Sequence, residues 1–250
     1  ELAIQSYGWR EVFVALACVT LLAAAIIFMV VPERERVPDG ETLGRQVAQV
    51  GRILTDRAFW CLAPVMATTA GSHVAIQTLW AGHWLRDVAG LDRTEAANHL
   101  LMMAVAFFIG ILASGAVADS LVRRGVSVLV VMFGFLALYL SSQVGIVLGV
   151  TEPLMMAGLW FAFGMAGQAS ILAYPWLAAH FGANLSGRAN TTINLLVFMT
   201  AFVLQYAIGA GIALFEAKPG GGYGPEAYQG VFGAVLALQF LALVWCLVSL

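Results

Sequence analysis

Hydrophobic residues along the chain are gathered into seven long stretches that contain no Asp, Glu, Lys or Arg. Each stretch is about 20 residues or longer, which is enough for a helix to cross the hydrocarbon core of a bilayer. Because lipid offers the backbone no hydrogen-bond partners, such stretches must be helical. We call them spans one to seven and predict them over Val12–Val31, Ala58–Trp80, Ala96–Ala118, Val126–Gly149, Pro153–Ala179, Ala189–Phe215 and Tyr228–Leu250. The predicted fold class is an all-α membrane protein with seven transmembrane helices.

Composition agrees with this pattern and excludes several functions. The chain is 61% hydrophobic and 10% charged, whereas soluble domains have about 25% charged residues. The net charge of -2 and the lack of a basic cluster argue against a nucleic-acid partner. The three cysteines, Cys18, Cys61 and Cys246, have no metal-binding spacing. No phosphate-binding loop or hydrolase motif is present either, so we expect no enzyme activity, no cofactor and no metal.

The basic residues of the connecting segments predict an orientation. Eight arginines fall in one set of loops and four basic residues in the opposite set. The richer set holds Arg34, Arg36, Arg45, Arg52, Arg57, Arg123, Arg124 and Arg188; the poorer set holds Arg10, Arg86, Arg93 and Lys218. The positive-inside rule makes the richer set cytoplasmic, with the C-terminus inside and the N-terminus outside. Since no signal peptide precedes the first span, we expect further spans before Glu1 and hence a piece of a longer protein.

The longest connection, Pro32–Arg57, divides into two parts. Pro32–Gly40 is a polar segment bounded by prolines, typical of a linker. Beyond it, apolar residues recur with helical spacing at Leu43, Val47, Val50 and Leu54. This pattern predicts an amphipathic helix on the cytoplasmic membrane surface. A solvated linker with chance periodicity is the alternative, but it leaves the apolar stripe unexplained.

Tryptophans cluster toward the ends of the predicted spans, as interfacial aromatic belts do. The residues concerned are Trp60, Trp80, Trp84, Trp160, Trp176 and Trp245. For Trp80 and Trp176, an alternative interpretation is that their side chains line a cavity.

The turn after span three carries the most specific motif in the chain, GAVADSLVRRG over residues 115–125. It resembles the G-x-x-x-D-(R/K)-x-G-R-(R/K) loop of the major facilitator superfamily. The matching positions are Gly115, Asp119, Arg123 and Arg124. Ser120 and Val122 depart from the pattern, as is common in the copy between the eighth and ninth helices of that family. A plain positive-inside turn would explain the two arginines but not Gly115 and Asp119.

The arrangement of the other segments strengthens this resemblance. Residues 8–10 (GWR), followed by span one, resemble the family's sixth helix, and the long charged loop resembles its central linker. The resemblance implies a peripheral transmembrane helix over residues 1–31 and a cytoplasmic linker with an amphipathic helix over 32–57. It also implies a six-helix C-terminal transporter bundle over residues 58–250. The family's first five helices would then be missing.

Further expectations about function follow from the resemblance. It implies a secondary active or facilitative transporter that moves a small solute by alternating access, in a plasma membrane such as a bacterial inner membrane. Its partners would be the solute, the bilayer and the missing N-terminal six-helix half. Gly115 would allow close helix approach, and Asp119 would face the N-terminal end of a helix in the other half. Arg123 and Arg124 would brace the loop and face anionic lipid.

In this family the solute path is lined by helices that correspond to spans two, three, five and six. On span two, Thr69, His73, Gln77 and Trp80 recur at helical spacing and predict one polar stripe. A polar stripe on a membrane helix faces protein or water rather than lipid. His73 has two interpretations, a group that binds solute or titrates, and a neutral core histidine bonded to its own helix.

Spans five and six supply the remaining path candidates. These are Gln168 and Tyr174 on span five and Asn194 on span six. Amides at these positions would either contact solute or bridge helices. We also expect a bend at Tyr174–Trp176, because Pro175 interrupts the helix. The resemblance implies that spans one, four and seven are peripheral. Spans four and seven carry few polar side chains, among them Gln143 and Gln239.

No carboxylate lies deep in any predicted span. Protons therefore remain a candidate coupling ion only if the acid lies in the missing half or His73 takes part. The polar but uncharged candidates favour a neutral or amphipathic solute. Two other functions stay open: a non-transporting sensor or scaffold with a transporter-like fold, and a redox enzyme with haem between His73 and His99. The second is disfavoured, because the other histidines lie at span ends or in loops.

Overall fold

The computed structural model describes residues 8–31 and 42–250. Within these ranges the regular structure is helical, apart from an isolated antiparallel β-bridge between Ala217 and Tyr223. The chain divides into two compact units, residues 1–45 and residues 46–250. The predicted polar linker, Pro32–Gly40, lies outside the described residues.

Seven helical segments of the described chain are long and apolar enough to cross a membrane. They are span one Trp9–Val30, span two Arg57–Asp87, span three Arg93–Val122, span four Val128–Val147, span five Pro153–Phe181, span six Ala183–Ile212 and span seven Pro225–Ser249. The prediction of an all-α membrane fold with seven spanning helices is confirmed. Span three extends beyond its apolar stretch because Asp92 and Glu95 form a capping box at its start.

Span two is helical throughout, but its α-helical geometry is interrupted beyond its middle. The α-helix Arg57–Ala75 is followed by a π-helical turn, Ile76–Trp80, and then by a short α-helix, Ala81–Asp87. Each π-turn adds a residue relative to an α-helix, so the face that a side chain occupies changes across it.

Span five is interrupted more strongly. Its α-helix Pro153–Ala166 ends at Gly167, a 3₁₀ segment covers Ala169–Ala173, and an α-helix resumes over Tyr174–Phe181. The interruption therefore lies before the expected bend at Tyr174–Trp176. The physical reason is that a proline ring clashes with the carbonyl group four residues earlier, which places the irregular turn upstream of Pro175.

The spans of the second unit pack through small residues. Span six lies along the first helix of span two, and spans three and four pack against span five. A Cβ added at Gly110 would overlap the carbonyl oxygen of Met165, and one at Gly164 would lie 2.6 Å from that of Met103. Glycine is therefore required where spans three and five cross.

Two tryptophans correct the predicted aromatic belt. Trp84 and Trp160 are 1% and 0% exposed and pack edge to face, with ring centroids 5.4 Å apart. The expectation of an interfacial position is wrong for these two, because they form part of the core between helices. Trp60 and Trp245 are exposed, and the Trp245 Nε1–H donates to the Trp60 carbonyl oxygen at 2.8 Å.

The predicted amphipathic segment forms a helix over Leu43–Leu54. Leu43 and Val47 are exposed, whereas Ile53, outside the predicted apolar stripe, is completely buried. The location of this linker helix on the membrane surface stays a prediction.

Candidate functional site

The four residues of the predicted span-two stripe do not share one face. Thr69 and His73 are buried, and the His73 ring contacts spans three, four and five. Trp80 instead contacts span six, where its Nε1–H donates to the Gln205 carbonyl oxygen at 3.2 Å. Gln77, between them, is half-buried. The expectation of a single polar stripe is therefore wrong.

The π-turn Ile76–Trp80 explains this separation. In a regular α-helix His73 and Trp80 are about 20° apart around the axis, because seven residues make nearly two turns. One additional residue in a turn rotates the following side chains by about 100°. The turn therefore directs Trp80 toward span six, while Thr69 stays in the interior and its hydroxyl donates to the Val65 carbonyl oxygen at 2.6 Å.

A polar contact between spans two and six lies next to Trp80. The Gln205 amide nitrogen donates to the Thr78 hydroxyl at 3.0 Å, and that hydroxyl donates to the Val74 carbonyl oxygen at 2.6 Å. Thr78 is exposed and Gln205 is half-buried. The sequence pattern did not select Thr78, because its place on this face depends on the π-turn. Gln205 follows Asn194 by about three helical turns, and the helical pattern of span six places the two on one face.

A second polar contact joins spans five and six. The Tyr174 hydroxyl donates to the Asn194 side-chain oxygen. Asn194 is exposed and Tyr174 is half-buried. Gln168, the third candidate, is half-buried at the interruption of span five. The structure thus brings Tyr174 and Asn194 together, whereas Gln168 directly precedes the 3₁₀ segment Ala169–Ala173.

These two contacts lie on the same side of span six. Asn194 and Gln205 are eleven residues apart, which is about 16 Å along a helix and nearly a whole number of turns. We call Thr78, Trp80, Tyr174, Asn194 and Gln205 the polar strip. Lipid cannot satisfy exposed amides and hydroxyls in a membrane span, so this side of span six is suited to water, solute or protein.

The motif after span three lies at the surface of the six-helix bundle. Asp119, Arg123 and Arg124 are exposed. A Cβ added at Gly115 would meet no atom within 4 Å, so the close approach expected there is not made among the described residues. Close approach between helices is supplied by Gly110 and Gly164 instead.

At one end of span two a contact between Asp56 and His180 joins it to span five. The Asp56 carboxylate caps span two by accepting from the Phe59 N–H at 3.0 Å, and the His180 Nε2 lies 3.2 Å from the same oxygen. Burial raises the pKa of Asp56, but the bond from Phe59 and the contact with His180 outweigh it and leave the pKa below its usual value. This end is therefore fixed by a carboxylate that favours its charged form.

At the other end of span two, Asp87 holds the loop before span seven. Its Oδ2 accepts from the Tyr228 hydroxyl at 2.6 Å and from the Tyr223 N–H at 3.2 Å. The Lys218 ammonium donates to the Asp87 carbonyl oxygen at 2.6 Å. Among the described residues, no group of His, Cys, Asp and Glu side chains could hold a metal ion.

Comparison with known protein families assigns the chain to one of them. A family model described as the Major Facilitator Superfamily matches residues 1–205. The chain therefore belongs to the major facilitator superfamily, a family of transporters, and is an integral multi-pass membrane protein. A search of curated proteins found no match.

Proposed function

We propose that this protein is a secondary transporter, active or facilitative, that moves a small neutral solute by alternating access. The polar strip on spans two, five and six supports this most directly. It places polar side chains on a membrane-spanning surface, where lipid cannot satisfy the hydrogen-bonding capacity that their contacts with one another leave unused. Its described side chains are amide, hydroxyl and indole groups, which suit a neutral or amphipathic solute rather than an ion.

The partner in this proposal is a second six-helix bundle, the N-terminal half of the family's fold. Transporters of this kind bind solute near the membrane midplane between two bundles. The exposed motif residues Asp119, Arg123 and Arg124 are placed to contact such a bundle or the lipid around it. The gene sequence upstream of Glu1 tests this: five more spans with a fuller copy of the motif are expected, and a start codon directly before Glu1 would contradict it.

Orientation and coupling belong to the same proposal. The excess of arginine in the loops that hold Arg57, Arg124 and Arg188 supports a cytoplasmic C-terminus in a plasma membrane, such as a bacterial inner membrane. Protons are the candidate coupling ion. Acidification inside liposomes during solute uptake would support this, and uptake unaffected by a protonophore would argue for a facilitator. The function is transport and not catalysis.

Solute uptake tests the polar strip. The full-length protein is reconstituted in liposomes and supplied with radiolabelled sugars, polyols and nucleosides, a panel of neutral hydrogen-bonding solutes. For any member that is taken up, Asn194→Ala is expected to reduce uptake about tenfold, which corresponds to about 1.4 kcal/mol and one lost hydrogen bond.

A matched control is Gln229→Ala, which removes an exposed amide of span seven outside the polar strip. Its uptake should equal that of the wild type. If no member of the panel is taken up, the proposed solute class is wrong. If Asn194→Ala and Gln229→Ala behave alike, the polar strip does not line the path.

A further inference from the structure

His73 lies in the middle of span two inside a set of aromatic rings. Only 1% of its surface is exposed. Its ring stacks on Phe163 and Phe107, with centroids 4.9 and 5.7 Å apart, and meets Tyr139 edge-on at 5.9 Å. We call Phe107, Tyr139 and Phe163 the aromatic cage. The cage comes from spans three, four and five, so His73 is the point where these spans meet span two.

The polar atoms of this ring have no partner. Both Nδ1 and Nε2 are buried, and neither makes a hydrogen bond within the described chain. The amide of Gln77, one turn further on span two, is near the ring but not in hydrogen-bonding geometry. Leaving buried polar groups unpaired costs free energy, and a phenylalanine would fill the same space without that cost. The packing of this conformation therefore does not explain why an imidazole is present.

The ring also lies directly against the interruption of span five. A Cβ added at Gly167 would overlap the His73 Nδ1. Gly167 is the residue at which the helix Pro153–Ala166 ends and the backbone turns toward the 3₁₀ segment. His73 therefore touches the segment of span five that lacks regular α-helical hydrogen bonds and can change conformation most easily.

We propose that His73 is a proton-binding site and that proton uptake there is coupled to a rearrangement of span five at Gly167. The neutral ring fits the aromatic cage. A protonated ring gains cation–π attraction from Phe107 and Phe163, but this is smaller than the cost of burying an unpaired charge. The charged ring therefore favours conformations in which water or an amide oxygen reaches it.

Among the described residues, the surroundings of the His73 ring supply no charge that would hold a proton in the present conformation. Span three presents Phe107, span five presents Phe163 and Gly167, and span two itself presents Gln77. Tyr139 of span four is the one titratable side chain in contact with the ring among those described. Its hydroxyl donates to the Thr69 carbonyl oxygen at 3.3 Å. The Ser72 hydroxyl oxygen lies within hydrogen-bond distance of the same Tyr139 oxygen, also at 3.3 Å. Protonation can thus be accommodated only by movement.

Hydrogen exchange of the full-length protein in lipid nanodiscs tests this inference without a solute. Exchange of residues 163–174 is compared at about pH 4.5 and about pH 7.5, on either side of the usual histidine pKa of about 6.5, after correction for the intrinsic rates. In the wild type we expect about tenfold faster corrected exchange at the lower pH. His73→Phe should abolish the difference and retain thermal stability, because phenylalanine suits the aromatic cage.

His99→Phe is the matched control, because His99 lies near the end of span three, where its Nδ1 contacts the Glu95 carbonyl oxygen. It should preserve the pH-dependent exchange. The inference is overturned if wild-type exchange of residues 163–174 does not depend on pH, or if His73→Phe retains that dependence. Neither result bears on whether the protein transports a solute, so the proposed function is tested separately.

A second measurement applies if His73→Phe does not fold. With every other histidine of the full-length protein replaced by Gln, among them His83, His99 and His180, the ring ¹⁵N signals of labelled histidine belong to His73 alone. Its protonation is expected over the same pH range as the change in exchange. A signal that stays neutral while residues 163–174 open would overturn the inference.

Discussion

At the scale of single residues, two buried amides connect spans four and seven. Gln143 and Gln239 exchange two hydrogen bonds of 3.1 and 3.0 Å, and Gln239 also donates to the Val235 carbonyl oxygen at 3.3 Å. Both side chains are buried. The sequence places these two glutamines on spans four and seven, where polar residues are few. It gives no indication that their side chains hydrogen-bond to each other. Each amide is tolerated in the interior because the other satisfies it.

The amide pair gives a stability prediction. Gln239→Leu leaves the Gln143 amide buried without a partner, so the free energy of unfolding should fall by about 1–3 kcal/mol. Replacing both residues with Leu should recover much of the loss, because no polar group then stays unsatisfied. Thermal unfolding in detergent measures this, with Gln229→Leu as the exposed control. A double variant less stable than either single variant would contradict the argument.

Asp56 gives a prediction about pH. Its pKa is below the usual value, because the bond from Phe59 and the contact with His180 outweigh burial. A depressed carboxyl pKa contributes stability above the unfolded value of about 3.9, and this stability is lost as the pH falls through the folded value. The melting temperature of the wild type should therefore fall more steeply below about pH 4 than that of Asp56→Asn.

The asparagine variant can still accept the helix-capping bond from Phe59, so it isolates the charge of Asp56. Glu216→Gln, which removes an exposed carboxylate of the loop before span seven, is the control and should follow the wild type. Superimposable pH curves for Asp56→Asn and the wild type would show that this carboxylate contributes no pH-dependent stability.

At the scale of elements, glycines and helix interruptions decide how the spans pack. Sequence pattern placed the spans correctly, because length and the absence of charge are local properties. It did not place the contacts, since spans three and five approach at Gly110 and Gly164 rather than at Gly115. Close approach depends on which helices are neighbours, and this is not encoded in one helix alone.

The crossing of spans three and five can be tested with alanine. Gly110→Ala should destabilise the protein by about 3 kcal/mol or more, because the added Cβ overlaps a backbone carbonyl group that cannot move easily. Gly115→Ala and Gly158→Ala should be close to neutral for stability, since a Cβ at either position meets no atom within 4 Å. Thermal unfolding of the three variants checks this. Equal destabilisation of all three would mean that the crossing is not formed as described.

The contact between spans two and five gives a paired prediction. Gly167→Ala should destabilise the bundle, because its Cβ would overlap the His73 ring. His73→Ala, added to it, should restore part of the lost stability by making space. The thermal unfolding of the two single variants and the double variant gives the coupling free energy. Additive effects would show that the two residues do not contact each other.

At the scale of the whole molecule, the distribution of arginine predicts the orientation that we propose. The family model matches residues 1–205, and seven helices of the described chain are long and apolar enough to cross a membrane. The side of each loop then follows from the positive-inside rule.

Cysteine labelling tests the orientation. In a variant that lacks Cys18, Cys61 and Cys246, Glu216→Cys should react with a membrane-impermeant maleimide added to intact cells. Arg124→Cys should react only after the membrane is opened, because its loop is cytoplasmic in the proposed topology. Both positions are exposed, so accessibility depends on the side of the membrane. The reverse pattern would invert the topology.

The sequence alone determined the fold class, the seven spans and the family resemblance, because these depend on local hydrophobicity and on a contiguous motif. Tertiary structure decided which polar groups meet. The π-turn Ile76–Trp80 separated Trp80 from His73, and the packing of spans two, five and six produced the contacts of Thr78 with Gln205 and of Tyr174 with Asn194. A prediction from local periodicity assumes a regular helix and considers one segment of the chain at a time. It therefore cannot show where a π-turn changes the helical register, or which residue of another span a side chain contacts.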